Sequence, residues 1–191
     1  MAGISGLWPR SPSSALQPGP RRSAASASWA TTSPPLNSPS PPGIDPTASR
    51  PEVTAAVTRG AVRVFRGLGY VALAEVTLPN ARRADLMAIS PRGELFIAEV
   101  KSSLEDFRVD RKWRDYLDFC DRFAFAVSPE FPQHELPQEP GLLVCDGFGG
   151  ALVREAPLSP LAGSRRKALT IAFARLAALR ASGVLAVDLE I

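Results

Sequence analysis

Between Val53 and Leu68 apolar residues recur at helical spacing. Val57, Ala61, Val64 and Leu68 share one face, and Gly69 follows as a helix stop. Tyr70 to Leu78 is instead rich in β-forming residues and ends at P-N, which predicts a strand. Ala84 to Ile89, the turn S-P-R-G and Glu94 to Val100 read as two more strands joined in a hairpin. Ser102 and Ser103 stand before Glu105 and Asp106 at the spacing of a capping box, so a helical turn begins there. Asp110 is placed to cap a longer helix, with Trp113, Tyr116, Leu117 and Cys120 along one face. Phe123 to Val127 is a short apolar strand ended by S-P. Gly141 to Cys145 and Ala151 to Glu155, joined by D-G-F-G-G, form a second hairpin. Ala162 to Ala181 closes the pattern as a helix with Leu169, Phe173, Leu176 and Leu179 in its apolar stripe. No internal repeat is visible. The order α-β-β-β-α-β, then a hairpin and a helix, predicts an α/β domain with a mixed central sheet flanked by helices. The domain runs over residues 51–184, and 185–191 form a short C-terminal tail.

The first 50 residues differ in kind. They hold 10 prolines, 11 serines and a single acid, Asp45, with no periodic apolar pattern. Such a segment cannot bury enough apolar surface to offset the entropy of ordering it, and a disordered tail is expected. It lacks the apolar core of a secretory signal, and no stretch of the chain has the roughly 20 apolar residues of a membrane span. Ser-, Ala- and Arg-rich, it has the composition of an organellar transit peptide. An over-extended gene start in a GC-rich bacterium reads the same way. The second is the favoured expectation, and with it a cytoplasmic bacterial protein.

The net charge of +3 belongs to this tail, which carries four arginines and one aspartate; the remaining 141 residues balance at 18 basic and 18 acidic. Nucleic-acid binding therefore has to rest on local patches rather than on overall charge. Two cysteines, Cys120 and Cys145, are too few for a disulfide framework or a zinc cluster, and both read as small buried apolar residues. The one histidine, His134, lies in a Pro-rich loop, which argues against histidine-based hydrolase chemistry.

The stretch R-R-A-D-L-M-A-I-S-P-R-G-E-L-F-I-A-E-V-K, Arg82 to Lys101, concentrates the chemistry. Glu99 and Lys101 share a strand face, and antiparallel pairing through S-P-R-G brings Asp85 near Glu99. Two carboxylates suit a hard divalent ion, Mg²⁺ or Mn²⁺, and a lysine beside them can polarise or deprotonate a water. This is the constellation of a hydrolytic phosphodiesterase. An isolated E-x-K is more often an exposed salt bridge. Here the strand is apolar on both sides (Leu95, Phe96, Ile97, Ala98, Val100), which marks it as central, and charges at the end of a buried strand cost free energy unless paired or metal-bound.

The element order, with Asp85 on the second strand and Glu99-x-Lys101 on the third, resembles the PD-(D/E)XK nuclease superfamily. More narrowly, V-T-R-G-A-V-R, R-R-A-D, E-V-K-S-S, D-R-K-W-R-D-Y-L-D-F-C-D-R-F and G-S-R-R-K-A look like the bacterial MmcB family of DNA repair proteins, over roughly Val53 to Ser182. The superfamily implies a restriction-endonuclease-like fold and Mg²⁺-dependent DNA cleavage; the narrower family implies a role in repair. Ala84 stands where the superfamily usually has a proline before the aspartate.

Several further residues read in two ways. Glu75 is a third carboxylate for the metal or part of a solvated strand face. Arg82 and Arg83 hold the scissile phosphate, in the bidentate manner a guanidinium allows, or solvate a turn. Lys112 reaches a phosphate or pairs with Asp115 or neighbouring acids. Trp113 and Tyr116 read as core rather than as base-stacking groups. Arg165, Arg166 and Lys167 open the last helix against the macrodipole, so local stability does not account for them; a phosphate clamp does, as does a solvated cationic end. The expected activity is metal-dependent cleavage of DNA during repair, on damaged or branched DNA, with a homodimer or a repair-complex partner. The rivals are a noncatalytic DNA-binding repair factor of the same fold and an interaction domain without DNA affinity.

Overall fold

The computed structural model describes residues 48–109 and 112–183. The expected disordered tail, apart from its last residues, the Asp110 cap and the tail 185–191 lie outside them. Helix α1 (Arg50–Gly67) starts at Ser49, whose amide donates to Glu52 Oε2 at 2.7 Å in the reciprocal capping arrangement. Just past its end Gly69 takes the left-handed φ of 83° that a chain reversal needs. Strands β1 (Val71–Thr77), β2 (Arg83–Ile89) and β3 (Leu95–Lys101) follow. In the S-P-R-G turn Gly93 sits at φ 76° and donates its amide to Ser90 O at 2.9 Å.

Helix α2 (Leu104–Val109) begins where Ser103 Oγ accepts the Asp106 amide at 3.2 Å, as the Ser/Asp spacing requires. The expected longer helix after it is a 3₁₀ segment, Lys112–Phe119. With three residues per turn, Trp113, Tyr116 and Phe119 align and Leu117 turns outward to solvent, contrary to its expected place on the buried face. Trp113 and Tyr116 are core, both stacked on Phe123. Then come β4 (Arg122–Val127), β5 (Gly141–Cys145), β6 (Gly150–Arg154) and α3 (Gly163–Ala181). Both cysteines are buried, and His134 is exposed in a short 3₁₀ turn.

The six strands lie side by side in chain order. The pairs β1–β2, β2–β3 and β5–β6 are antiparallel, whereas β3–β4 and β4–β5 are parallel. Every residue of β3 is buried, as a central strand demands. α1 covers one face through Val57, Ala61 and Phe65; the 3₁₀ segment and α3 cover the other through Trp113, Tyr116, Leu169 and Phe173. The result is the expected mixed sheet between helices.

One irregularity crosses β1 and β2 together. Leu73 and Val76, three residues apart, both face the α3-side core, and so do Ala84 and Met87. Regular strands put such pairs on opposite faces. The break falls at Glu75, whose φ is 51°, and at Asp85, the rung directly opposite. Local distortion of a strand pair re-aims side chains at its edge.

Candidate active site

β2 and β3 pair from Ile89–Leu95 as far as Leu86–Ala98, and the next rung would oppose Asp85 to Glu99. There the strands part, and Asp85 turns its carboxylate into the gap, accepting the Val100 amide on Oδ2 at 2.8 Å. Burial above all, with the Asp106 carboxylate beside it, pushes the Asp85 carboxyl above its ordinary range. The Val100 amide, the Lys101 ammonium and the Arg83 guanidinium pull the other way.

Glu99 and Lys101 emerge on the α3 side of β3, where Lys101 Nζ lies 3.5 Å from Glu99 Oε1. The two are 5% and 3% exposed. Tyr116 closes over them from the 3₁₀ segment, its hydroxyl 3.4 Å from Glu99 Oε1 and 3.2 Å from Arg83 O. Asp85, Glu99 and Lys101 are thus brought to one end of the central strand, as the spacing of R-A-D and E-V-K predicts. Sequence reasoning gave Tyr116 to the core alone. Its register three residues after Trp113 showed burial, and nothing in the chain signalled that its hydroxyl would reach the acid.

Asp85 also lines an open groove of about 1130 Å³ together with Arg50, Thr54, Thr58 and Arg59 of α1, Glu75, Ser102 and Asp106. Glu99 and Lys101 lie behind it rather than on its wall. Asp106 was not foreseen as a site residue, although its place three residues after Ser103 fixed where α2 would aim it.

Mg²⁺ binds through one or two carboxylates and keeps waters for its remaining positions, so Asp85 and Glu99 are the hard oxygen donors that could hold it. Asp85 keeps Oδ1 beyond its bond to Val100. No group of three or more His, Cys, Asp or Glu is gathered among the described residues, so a cage made wholly of protein ligands does not form there. Glu75 is exposed at the rung opposite Asp85, with Arg83 Nη2 3.6 Å from its Oε1.

The cationic residues divide. Arg83 stands beside the acids. Arg82 is drawn to Asp115 at 2.8 Å and so ties the start of β2 to the 3₁₀ segment, and Lys112 is exposed at the segment's start. Arg165, Arg166 and Lys167 sit at the far end of β3, near Leu95 and Gly93. Six residues of strand separate the two ends, about 20 Å. Arg166 donates to Asp121 Oδ2 at 2.5 Å, to Asp121 Oδ1 at 2.6 Å and to Gly93 O at 2.9 Å. Arg165 meets Asp118 O at 3.0 Å, and Lys167 is exposed. Local stability does account for Arg166, contrary to expectation: it neutralises an aspartate that is 2% exposed. The trio lies too far away to grip the same phosphate as Asp85.

No helix among the described residues is long and apolar enough to cross a membrane. The family model for DNA repair protein MmcB-like matches residues 41–187. No curated protein matches the chain. Among solved structures, the SPO1766 protein of unknown function from Silicibacter pomeroyi is 41% identical, with a TM-score of 0.66, and the match covers 69% of this chain and 90% of that one. The family match spans all six strands and the site just described, and suggests a role in DNA repair. The chain belongs to the MmcB-like family of DNA repair proteins.

Proposed function

We propose that this protein is a metal-dependent deoxyribonuclease of DNA repair, hydrolysing phosphodiester bonds at the end of β3 on a PD-(D/E)XK-like fold. The observation that carries the reading is the buried Glu99–Lys101 pair, 3.5 Å apart, held beside the half-buried Asp85 where β2 and β3 separate. Apolar side chains of similar size would stabilise a strand end at least as well as buried charges do.

Asp85 and Glu99 are the residues that would hold Mg²⁺ or Mn²⁺, with Glu75 as an additional carboxylate. When bound, the ion neutralises charge on the phosphate and lowers the pKa of its water. Lys101 orients the attacking water and steadies the negative charge that develops on the phosphate. Tyr116 holds Glu99 in place and excludes bulk solvent. Arg83 is the nearest candidate for a backbone phosphate contact, with Lys112, Arg165 and Lys167 as contacts further out.

A second reading has an observation of its own. Glu99 and Lys101 lie behind the groove wall, which suits a DNA-binding repair factor that keeps the fold without cleaving. The two readings part on nicked, flapped, branched and intact DNA in Mg²⁺, Mn²⁺ or EDTA. Metal-dependent cutting that Asp85→Asn abolishes supports the nuclease. Salt-sensitive binding without cutting, indifferent to Asp85→Asn, supports the binding factor.

A further inference from the structure

The groove beside Asp85 does not end at α1. Arg59 lines it and also flanks the β5–β6 turn, because a Cβ added to Gly147 would lie 3.6 Å from Arg59 Nη2. Arg63 donates to Gly147 O, pinning the same turn from one helical turn further on. Arg66 continues the series. Arg59, Arg63 and Arg66 stand at i, i+4 and i+7, so their exposed side chains form one stripe. The only acid of α1, Glu52, is spent on the Ser49 cap.

The turn they border is D-G-F-G-G, and its shape is fixed from two sides. Asp146 Oδ1 accepts the amides of Phe148 and Gly149, each at 2.8 Å. Gly60 lets α1 approach so closely that a Cβ there would lie 2.2 Å from Asp146 O and 2.4 Å from Gly149 O. This rigid turn carries Phe148, which is 66% exposed. A single exposed phenylalanine is ordinary on a protein surface. One held on a braced turn beside Arg59 and Arg63, at the end of a groove that begins at a candidate phosphodiester site, offers a base a stacking platform.

We infer that α1 and the Gly147–Gly149 turn bind a single-stranded segment of DNA, with Phe148 stacking on an unpaired base and Arg59 and Arg66 holding the phosphates that lead toward Asp85. The inference rests on the proposed action on DNA and adds the strand path and the substrate class, DNA with an unpaired stretch. From Arg59 to Arg66 the helix rises about 10 Å, the length of about three nucleotide steps at duplex spacing. A flat aromatic face accepts any base, so the track reads strandedness rather than sequence.

The test measures binding of the full chain to fluorescein-labelled oligothymidine and to a blunt duplex in EDTA, where no cleavage occurs. A failure here is therefore distinct from a failure of the nuclease reading, which is read from cutting in Mg²⁺. Phe148→Ala is expected to weaken oligothymidine binding about tenfold, and Phe148→Trp to restore it. The double reversal Arg59→Glu/Arg66→Glu is expected to lower the slope of log affinity against log salt by about 1.4. Arg92→Glu, at the exposed turn on the other end of the sheet, serves as the charge control. Equal losses with Arg92→Glu, an unchanged affinity with Phe148→Ala, or tighter binding of blunt duplex than of oligothymidine would each overturn the inference. Thermal melts of the variants confirm folding; all the substituted side chains are exposed.

Discussion

Asp85 and Val100 are joined across the gap where β2 and β3 stop pairing, the carboxylate Oδ2 accepting the Val100 amide at 2.8 Å. The bond takes the place of the next ladder hydrogen bond, so Oδ2 of Asp85 serves the fold, while Oδ1 is the atom the proposed function assigns to the metal. An asparagine can keep the first role and lose the second.

Asp85→Asn is therefore expected to be more stable than the natural protein at neutral pH in EDTA. Burial raises the native carboxyl above its usual 3.8, so the native state holds its proton more tightly than the unfolded chain does. Stability then falls as pH rises from 3.8 through the raised native value, and the cost of the carboxylate is fully present above it. Thermal melts should show the variant ahead near neutrality and the difference closing below pH 3.8. A variant less stable at neutral pH would mean that the charge is favourable where it sits.

Arg166→Met is expected to cost roughly 3 kcal/mol at neutral pH, since it leaves Asp121 charged and buried. Burial alone would raise the Asp121 carboxyl. The Arg166 guanidinium and the amides of Leu95 and Leu161 outweigh it and hold the carboxyl below its usual 3.8. That stabilisation is present above 3.8 and is lost as pH falls through the depressed native value, so the deficit of Arg166→Met should shrink in acid. Urea titrations at neutral and acid pH measure this. The salt slope of DNA binding should be unchanged in the folded variant.

Glu75 adopts a left-handed backbone that costs a residue with a Cβ about 1 kcal/mol. Glu75→Gly should therefore gain stability of that order by chemical denaturation. Glu75→Gln should leave stability unchanged and weaken Mn²⁺ binding less than Asp85→Asn does, because the Glu75 side chain is exposed at the groove edge. Calorimetric Mn²⁺ titrations of the two variants separate their roles.

Gly60→Ala places a methyl group against two backbone carbonyls that cannot swing aside, and is expected to cost about 3 kcal/mol. Gly149→Ala, in the same turn, meets no atom within 4 Å of its added Cβ and should cost far less. Equal losses in denaturant would show that α1 and the turn are not in tight contact.

The inner strands were legible because each is a short apolar run, which burial on both faces enforces, and the more exposed edge strands β1 and β6 are marked by the P-N and D-G-F-G-G turns beside them. That Asp85, Glu99 and Lys101 share one end of the sheet followed from one hairpin register. What the chain hid depends on partners distant in sequence. Trp113, Tyr116 and Phe119 fit a three-residue period as well as a helical one, and packing on Phe123 decides between them. Arg166 looks the same as Arg165 until the fold sets Asp121 against it. Glu75 gives no local sign of its left-handed turn, which arises from the face switch it shares with Asp85. The α1 arginines carry no signal of their own in a domain that is neutral as a whole, and only the fold sets Arg59 and Arg63 against the Gly147–Gly149 turn.

The measurement that bears most directly on the proposed function is the initial cleavage rate of the natural protein and Lys101→Met, in Mn²⁺ and in EDTA, on whichever DNA is cut fastest. Metal-dependent cleavage that falls at least a hundredfold in Lys101→Met, with DNA binding in EDTA retained, is the predicted result. Cleavage unchanged in Lys101→Met, or none by the natural protein on any substrate, would contradict it.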